Sequence, residues 1–462
     1  MPVYNAYNML TGADFYLAPL CLLILYLLAF IMKRKYRNTE MAKYIMPALT
    51  IRFVCAIIYT LVLVYYYGMG DSFNYYQGVL DMHRAAIDDK SVLKEIYSKV
   101  QLEPGDKMYN YFYYSSSWSI RYYMLESRTY MVSKLGLPFS LIFNKSFLCI
   151  SFCISFFAFL GSWKVFKLFA GLYPHLVKKI AYATLFLPSV LFWGVSLLKD
   201  PICLGAMGFL LYYLHALFIK REKMTVAVIY ILLSTFLLYN LKPYILFSLL
   251  GGFFVWFFLQ ERKKIQRKDM RQAVTGAFLI LALVASLFAI RGVAQTEANA
   301  QLSPGNLVSA IQHQQNVFSR TDEGSGSNFA VDGAPKSRIG LILYAPLGLV
   351  NTYFRPFPWD VRSPLMLFSA LEALAFAALT IMCFRRLGVG TTFRTIFSDP
   401  VITFCFAFSL IFGGIIGITT PNFGALVRYK LPCVSFYLLT FILVMDKSGK
   451  FSPSYFFSKR LF

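Results

Sequence analysis

Acidic residues are scarce in this chain: 22 Asp and Glu stand against 45 Lys and Arg across 462 residues. Charged residues of both signs make up 15% of positions, where a soluble domain carries about a quarter. A soluble fold with an ordinary charged surface is thereby excluded. Histidine is nearly missing too. His83, His175, His215 and His313 are scattered, and none stands at ligand spacing from another or from a cysteine. The eight cysteines (Cys21, Cys55, Cys149, Cys153, Cys203, Cys383, Cys405 and Cys433) all lie in or beside apolar segments. Cys149 and Cys153 share a helix face but have no His or acidic neighbour. Buried cysteine packs as a small hydrophobe, so neither a disulfide framework nor a zinc site is indicated. Residues 1–14 lack the basic start of a cleavable signal, which leaves the apolar block Phe15–Met32 as a retained span. No internal repeat is visible, so the inverted-repeat signature of many transporters is absent.

What is present is apolar. Hydrophobic residues fill 58% of positions, in blocks about long enough to cross a bilayer. They lie near 15–32, 48–67, 140–162, 180–198, 201–219, 224–241, 243–259, 273–290, 365–384, 401–418 and 431–446. The expected fold class is all-α: a polytopic transmembrane helix bundle of about 11 spans (range 10–13), forming a single membrane-embedded domain over residues 1–462. The net charge of +23 raises nucleic acid as a partner. The distribution argues against it, because the cations sit in short clusters between apolar blocks and form no basic face.

Those clusters set an orientation. Basic residues follow the first block (Lys33, Arg34, Lys35), the third (Lys164, Lys167), the fifth (Lys220, Arg221), the seventh (Arg262, Lys263, Lys264), the ninth (Arg385, Arg386) and the last (Lys447, Lys450). With the further basic residues between each cluster and the next apolar block, and those of the tail to Arg460, these segments hold 25 of the 45 Lys and Arg. The positive-inside rule places them in the cytoplasm, with the N-terminus outside and the C-terminus inside. Residues 339–354 are apolar but short and contain Pro346. They read as a re-entrant or interfacial segment, with a full span as the alternative.

Two long outer loops result. In the first, 68–139, Val79, Met82, Ala86, Val92, Leu93, Ile96 and Val100 recur at helical spacing. This predicts amphipathic helices in the interface plane. The second, 291–338, contains GSGSN and reads as flexible.

The unusual charges lie on the side opposite the basic loops. Asp71 follows the second block in YYYGMGDSFNYY. It reads either as a general base or a metal ligand, or as the N-cap of the next helix. Lys199 and Asp200 end FWGVSLLKDP; they read either as a pair, or as a phosphate-binding Lys199 with Asp200 capping the next helix ahead of Pro201. Lys242 stands in NLKPY, and YFRPFPWDVRSP carries Arg355, Trp359, Asp360 and Arg362. Aromatics beside arginine also serve as interfacial anchors. TTPNFGALVRYKLP brings Asn422, Arg428 and Lys430 into the last span. Arg428 there is either functional or snorkels to the headgroups. Arg52 and Glu372 are the main charges well inside predicted spans. Taken together, the outer face carries isolated cations and few carboxylates. Cations in a partly dry setting bind phosphate. One carboxylate deprotonates an acceptor hydroxyl, while the cations stabilise a departing phosphate.

GDSFNYY, PSVLFWGVSLLKD, FRPFPWD and NFGALVRYKLP, in that order along most of the chain, resemble bacterial multispanning glycosyltransferases and polysaccharide polymerases of the GT-C-like class, which use polyprenyl-linked sugars. The resemblance implies Asp71 as the catalytic base and Lys199, Arg355 and Arg428 as ligands of the lipid phosphate. It also implies a bacterial cytoplasmic membrane, with a polyprenyl-linked sugar and a glycan acceptor as partners. The chain departs from many members in placing Asp71 after the second span and no second acid beside it. No cofactor is called for, and no metal ligand set is indicated. Two other classes stay open: a transporter or flippase of lipid-linked glycans, and a non-enzymatic envelope assembly protein.

Overall fold

The computed structural model describes residues 9–113, 124–222, 224–264, 266–267, 269 and 338–449. The predicted span 273–290 and almost all of the loop 291–338 lie outside the described residues. Among the described residues the chain is all helical, with no strand. Eight of the helices among the described residues are long and apolar enough to cross a membrane. A ninth candidate is a pair of helices bent by 65° at Lys430. The chain is therefore a multi-pass membrane protein. The described residues pack into two compact units. One comprises 1–186, 190–212 and 229–242; the other 187–189, 213–228 and 243–462.

In the first unit, α1 (Asp14–Lys35) buries Ala18, Cys21, Leu25 and Ala29, one stripe at helical spacing. Its other faces, including Leu20, Leu23, Leu27 and Ile31, are exposed, as a lipid-facing helix requires. α2 (Ile45–Val62) runs on through a π-helical turn to Tyr67. It stops at Gly68, where φ is +68°, a conformation glycine adopts without steric cost. The first outer loop is folded: α3 (Asp71–Asp88), α4 (Ser91–Ser98), α5 (Lys107–Tyr113) and α6 (Ser127–Ile142). Its amphipathic face turns inward. Val79, Met82, Ala86, Val92 and Ile96 are buried, while Val100 is exposed. Ser133 Oγ on α6 donates to the Tyr75 carbonyl at 2.9 Å, and His83 Nδ1 meets Ser140 Oγ at 2.9 Å. The apolar stripe expected to lie on the bilayer surface is thus, apart from Val100, packed inside the first unit.

α7 (Phe147–Leu172) is capped by Ser146, whose hydroxyl accepts from Cys149 N at 3.2 Å. It crosses α10 (Lys199–Leu214) where Gly161 meets Gly205 and Gly208 so closely that a Cβ at any of the three would overlap a neighbour. Small residues let helix backbones approach where no hydrophobic force drives them together.

The block 180–198 is not one helix. α8 (Val177–Leu185) ends before Pro188, α9 (Pro188–Trp193) is short, and 194–198 is irregular. Freed backbone groups at this depth need partners, and buried polar residues supply them. Arg52 on α2 donates to the Gly194 carbonyl at 3.1 Å and to Ser162 Oγ at 3.3 Å. Ser196, at φ +69°, donates its N–H to Ser155 Oγ at 3.1 Å, and its hydroxyl meets Ser151 Oγ at 3.2 Å. Such strain persists only where the surroundings over-determine it. The charge inside the second span therefore holds a broken helix. Replacing Arg52 with Met leaves the Gly194 carbonyl unpaired in a dry setting and should cost about 1–3 kcal/mol. Thermal unfolding of purified protein in detergent measures this, with Arg52→Lys losing less because one donor remains.

In the second unit, α11 (Met224–Leu241) gives only its first turns, and its later turns belong to the first unit. The rest is α12 (Pro243–Arg262), α13 (Arg338–Phe354), α14 (Pro364–Leu387), α15 (Val389–Ser398), α16 (Pro400–Thr419), α17 (Phe423–Tyr429) and α18 (Leu431–Lys447). α13 is a continuous helix of 17 residues with Pro346 inside it, roughly 25 Å long. It packs on α16, where Gly348 and Gly417 touch. Thr352 Oγ1 and Tyr353 OH donate to carbonyls of α16 at 2.6 and 2.8 Å.

Candidate functional site

In the first unit, four of the expected residues gather. Lys199 opens α10 directly after the irregular stretch that Arg52 and the α7 serines hold. Its ammonium lies 3.6 Å from Glu126 Oε2 and donates to Thr129 Oγ1 at 3.4 Å. It stands 5.9 Å from the Tyr75 ring. Asp71, Lys242 and Arg128 are within electrostatic reach of the same ammonium. Asp71 is the first residue of α3, after Gly70, so its carboxylate is not the cap that one reading expected. Its neighbour Ser72 shares a hydrogen bond with Tyr59 OH at 3.1 Å. Tyr59 also packs edge-on against Phe192 and Trp193. The GDSFNYY and FWGVSLLKD segments therefore meet through one tyrosine of α2.

Asp200 does not pair with its neighbour Lys199. It accepts from Lys242 Nζ at 2.6 Å, with the two side chains 3% and 8% exposed. A buried ion pair of this geometry fixes the start of α10 to the end of α11. The expectation of isolated cations thus needs correcting. Lys199, Lys242 and Arg355 each have a carboxylate within 4 Å, because helix packing brings together charges far apart in the chain. Glu126 went unnoticed in the sequence. It lies inside the first loop without an apolar block around it, and only the fold places it beside Lys199.

In the second unit, Arg355 Nε lies 3.3 Å from Asp360 Oδ2, which also accepts from Phe357 N at 2.9 Å. The guanidinium sits 5.4 and 5.5 Å from the rings of Phe357 and Phe423. Trp359 stacks on Phe357 with centroids 4.9 Å apart and is 78% exposed; Arg362 is exposed too. That exposure fits the anchoring role for Trp359. Asn422 is a helix cap: its Oδ1 accepts from Ala425 N at 2.8 Å. Arg428 belongs to α17, ahead of the bend, rather than to the apolar helix that follows. Lys430 occupies the bend itself, fully buried, its ammonium without a hydrogen-bond partner among the described residues. Its cation faces the Phe376 ring at 5.9 Å, and Glu372 of α14 lies within electrostatic reach. Glu372 Oε2 accepts from Ser189 N at 2.9 Å.

Among the described residues, no group of three or more His, Cys, Asp or Glu gathers as a metal site. The first unit thus offers two carboxylates, Asp71 and Glu126, around a half-buried ammonium, with a guanidinium and a second ammonium nearby. Such a set accepts a proton from a hydroxyl and binds a phosphate oxygen. The architecture defines an all-helical, multi-pass membrane protein. No protein family, curated protein or solved structure matches the chain.

Proposed function

We propose that this protein is a membrane glycosyltransferase or polysaccharide polymerase. It transfers a sugar from a polyprenyl-phosphate-linked donor to an acceptor hydroxyl, with inversion, at the outer face of a bacterial cytoplasmic membrane. The observation that carries this reading is the gathering of Asp71, Glu126, Arg128 and Lys242 around Lys199. The acceptor oxygen attacks the anomeric carbon as the bond to the phosphate oxygen breaks. Asp71 takes the acceptor proton, and Lys199 and Arg128 meet the charge that grows on the departing phosphate. The N-terminus lies outside and the C-terminus in the cytoplasm, as the basic loops require.

Purified protein supplied with a polyprenyl-phosphate-linked sugar and a glycan acceptor should form a new glycosidic bond, read by mass spectrometry. Substrate counterflow in liposomes with no bond formed sinks the proposal in favour of transport. One observation favours that second reading: a helix broken by 65° with buried Lys430 at the break and Glu372 nearby, since transporters often bind substrate at broken helices.

A further inference from the structure

A cavity of about 500 Å³ lies in the first unit beside the Lys199 cluster, within the usual size range for small-molecule pockets, roughly 300–1,000 Å³. Ser127, Met131, Lys134 and Leu135 line it from one face of α6. On α11 its wall runs from Asn240 to Tyr230, roughly 15 Å of helix. Three stacked rings stand at the Tyr230 end. Phe157 lies 5.8 Å from Phe209, and Phe209 5.3 Å from Tyr230.

Three features identify the occupant. The walls are chiefly aromatic and aliphatic, and among the described residues no carboxylate lines them. Leu233 and Phe236 both line the cavity and are exposed on α11, so it opens on a face that turns toward lipid. At the other side, Ser127 lines the cavity while its neighbours Glu126, Arg128 and Thr129 belong to the Lys199 cluster. We propose that this cavity holds the hydrocarbon chain of a phosphate-bearing lipid, with its phosphate at the Ser127 end facing Arg128 and Lys199. This rests on the transferase reading and adds where the carrier lipid lies.

Lys134 favours an anionic lipid over a neutral one. Its ammonium donates to the Lys99 carbonyl and lies 4.4 Å from the Tyr130 ring. Burial pulls its pKa down to about 8, so it stays charged at neutral pH in a wall where a nearby anion offsets its desolvation.

The test uses the whole protein in detergent and a benzophenone-bearing farnesyl phosphate. Photocrosslinks should map to 127–135 or 230–240 and fall away when unmodified farnesyl phosphate competes. In parallel, Leu237→Trp should weaken binding of radiolabelled farnesyl phosphate tenfold or more. Leu232→Trp, on the exposed face of α11, should not. Crosslinks confined to other segments overturn the proposal, as does unchanged binding by Leu237→Trp. Competition by inorganic phosphate as strong as by farnesyl phosphate overturns it too, because the chain then contributes nothing. Farnesol binding as tightly as its phosphate removes the anionic lipid. No sugar enters these measurements. Their failure leaves sugar transfer standing, and a protein that passes them yet transfers no sugar fails the transferase reading alone.

Discussion

Asp71→Asn should lower the rate of sugar transfer by about 10²–10⁴-fold while the protein keeps its thermal stability and its affinity for the donor lipid. The factor is that of a positioned general base. The amide keeps the size of the carboxylate but takes no proton from the acceptor. Asp71 is partly exposed at the start of α3, and the core contacts of that helix come from Phe73, Tyr75, Tyr76 and Val79. The substitution therefore leaves packing intact. Glu126 supplies the comparison. It lies beside Lys199 but is itself exposed and hydrogen-bonded by Thr129 Oγ1 at 2.6 Å. Glu126→Gln should change donor affinity more than the chemical step, since its role is to position the Lys199 ammonium. If Asp71→Asn transfers sugar at the wild-type rate while Glu126→Gln does not, the base is Glu126.

Lys242→Met should be among the most destabilising single changes in the first unit. The substitution takes the ammonium away from a buried carboxylate, and breaking a buried ion pair from one side costs about 3–5 kcal/mol. Asp200 is also in the first turn of α10, where a negative charge is favoured by the helix dipole. The double variant Asp200→Leu/Lys242→Met should recover most of the loss, because removing both charges removes the penalty. Thermal unfolding in detergent reads all three proteins. A single variant as stable as wild type would show that the pair is not buried in the working protein. The double variant should still transfer sugar poorly, since it removes one of the cations gathered near Lys199.

Much of this was legible in the chain itself. Every block of bilayer length among the described residues forms helix, because helices alone satisfy their backbone locally in an apolar medium. The block that departs most in form is 180–198. Its hydropathy matches that of a span, yet Pro188 and the irregular stretch 194–198 break it. Hydropathy does not register the partners that make a break tolerable, and those partners, Arg52, Ser151, Ser155 and Ser162, sit on other helices. The amphipathic spacing over residues 79–100 predicts helix, and helices form there with Val79, Met82, Ala86, Val92 and Ile96 turned into the protein. Periodicity identifies an apolar face and says nothing about whether lipid or protein covers it.

The candidate site divides in the same way. Asp71, Lys199, Asp200 and Lys242 stood out as charges at the edges of apolar blocks, where ionisable groups are costly. Their partners did not. Asp200 and Lys242 are 42 positions apart, and Lys199 and Glu126 belong to separate segments. Membrane class, helical content and the set of exceptional charges follow from the sequence alone, because transfer into lipid sums over neighbouring residues. Which charge meets which, where α7 and α10 touch, and that a cavity opens beside Lys199 were decided by tertiary structure. Those depend on helix crossings at Gly161, Gly205 and Gly208, which bring together residues that no local sum connects.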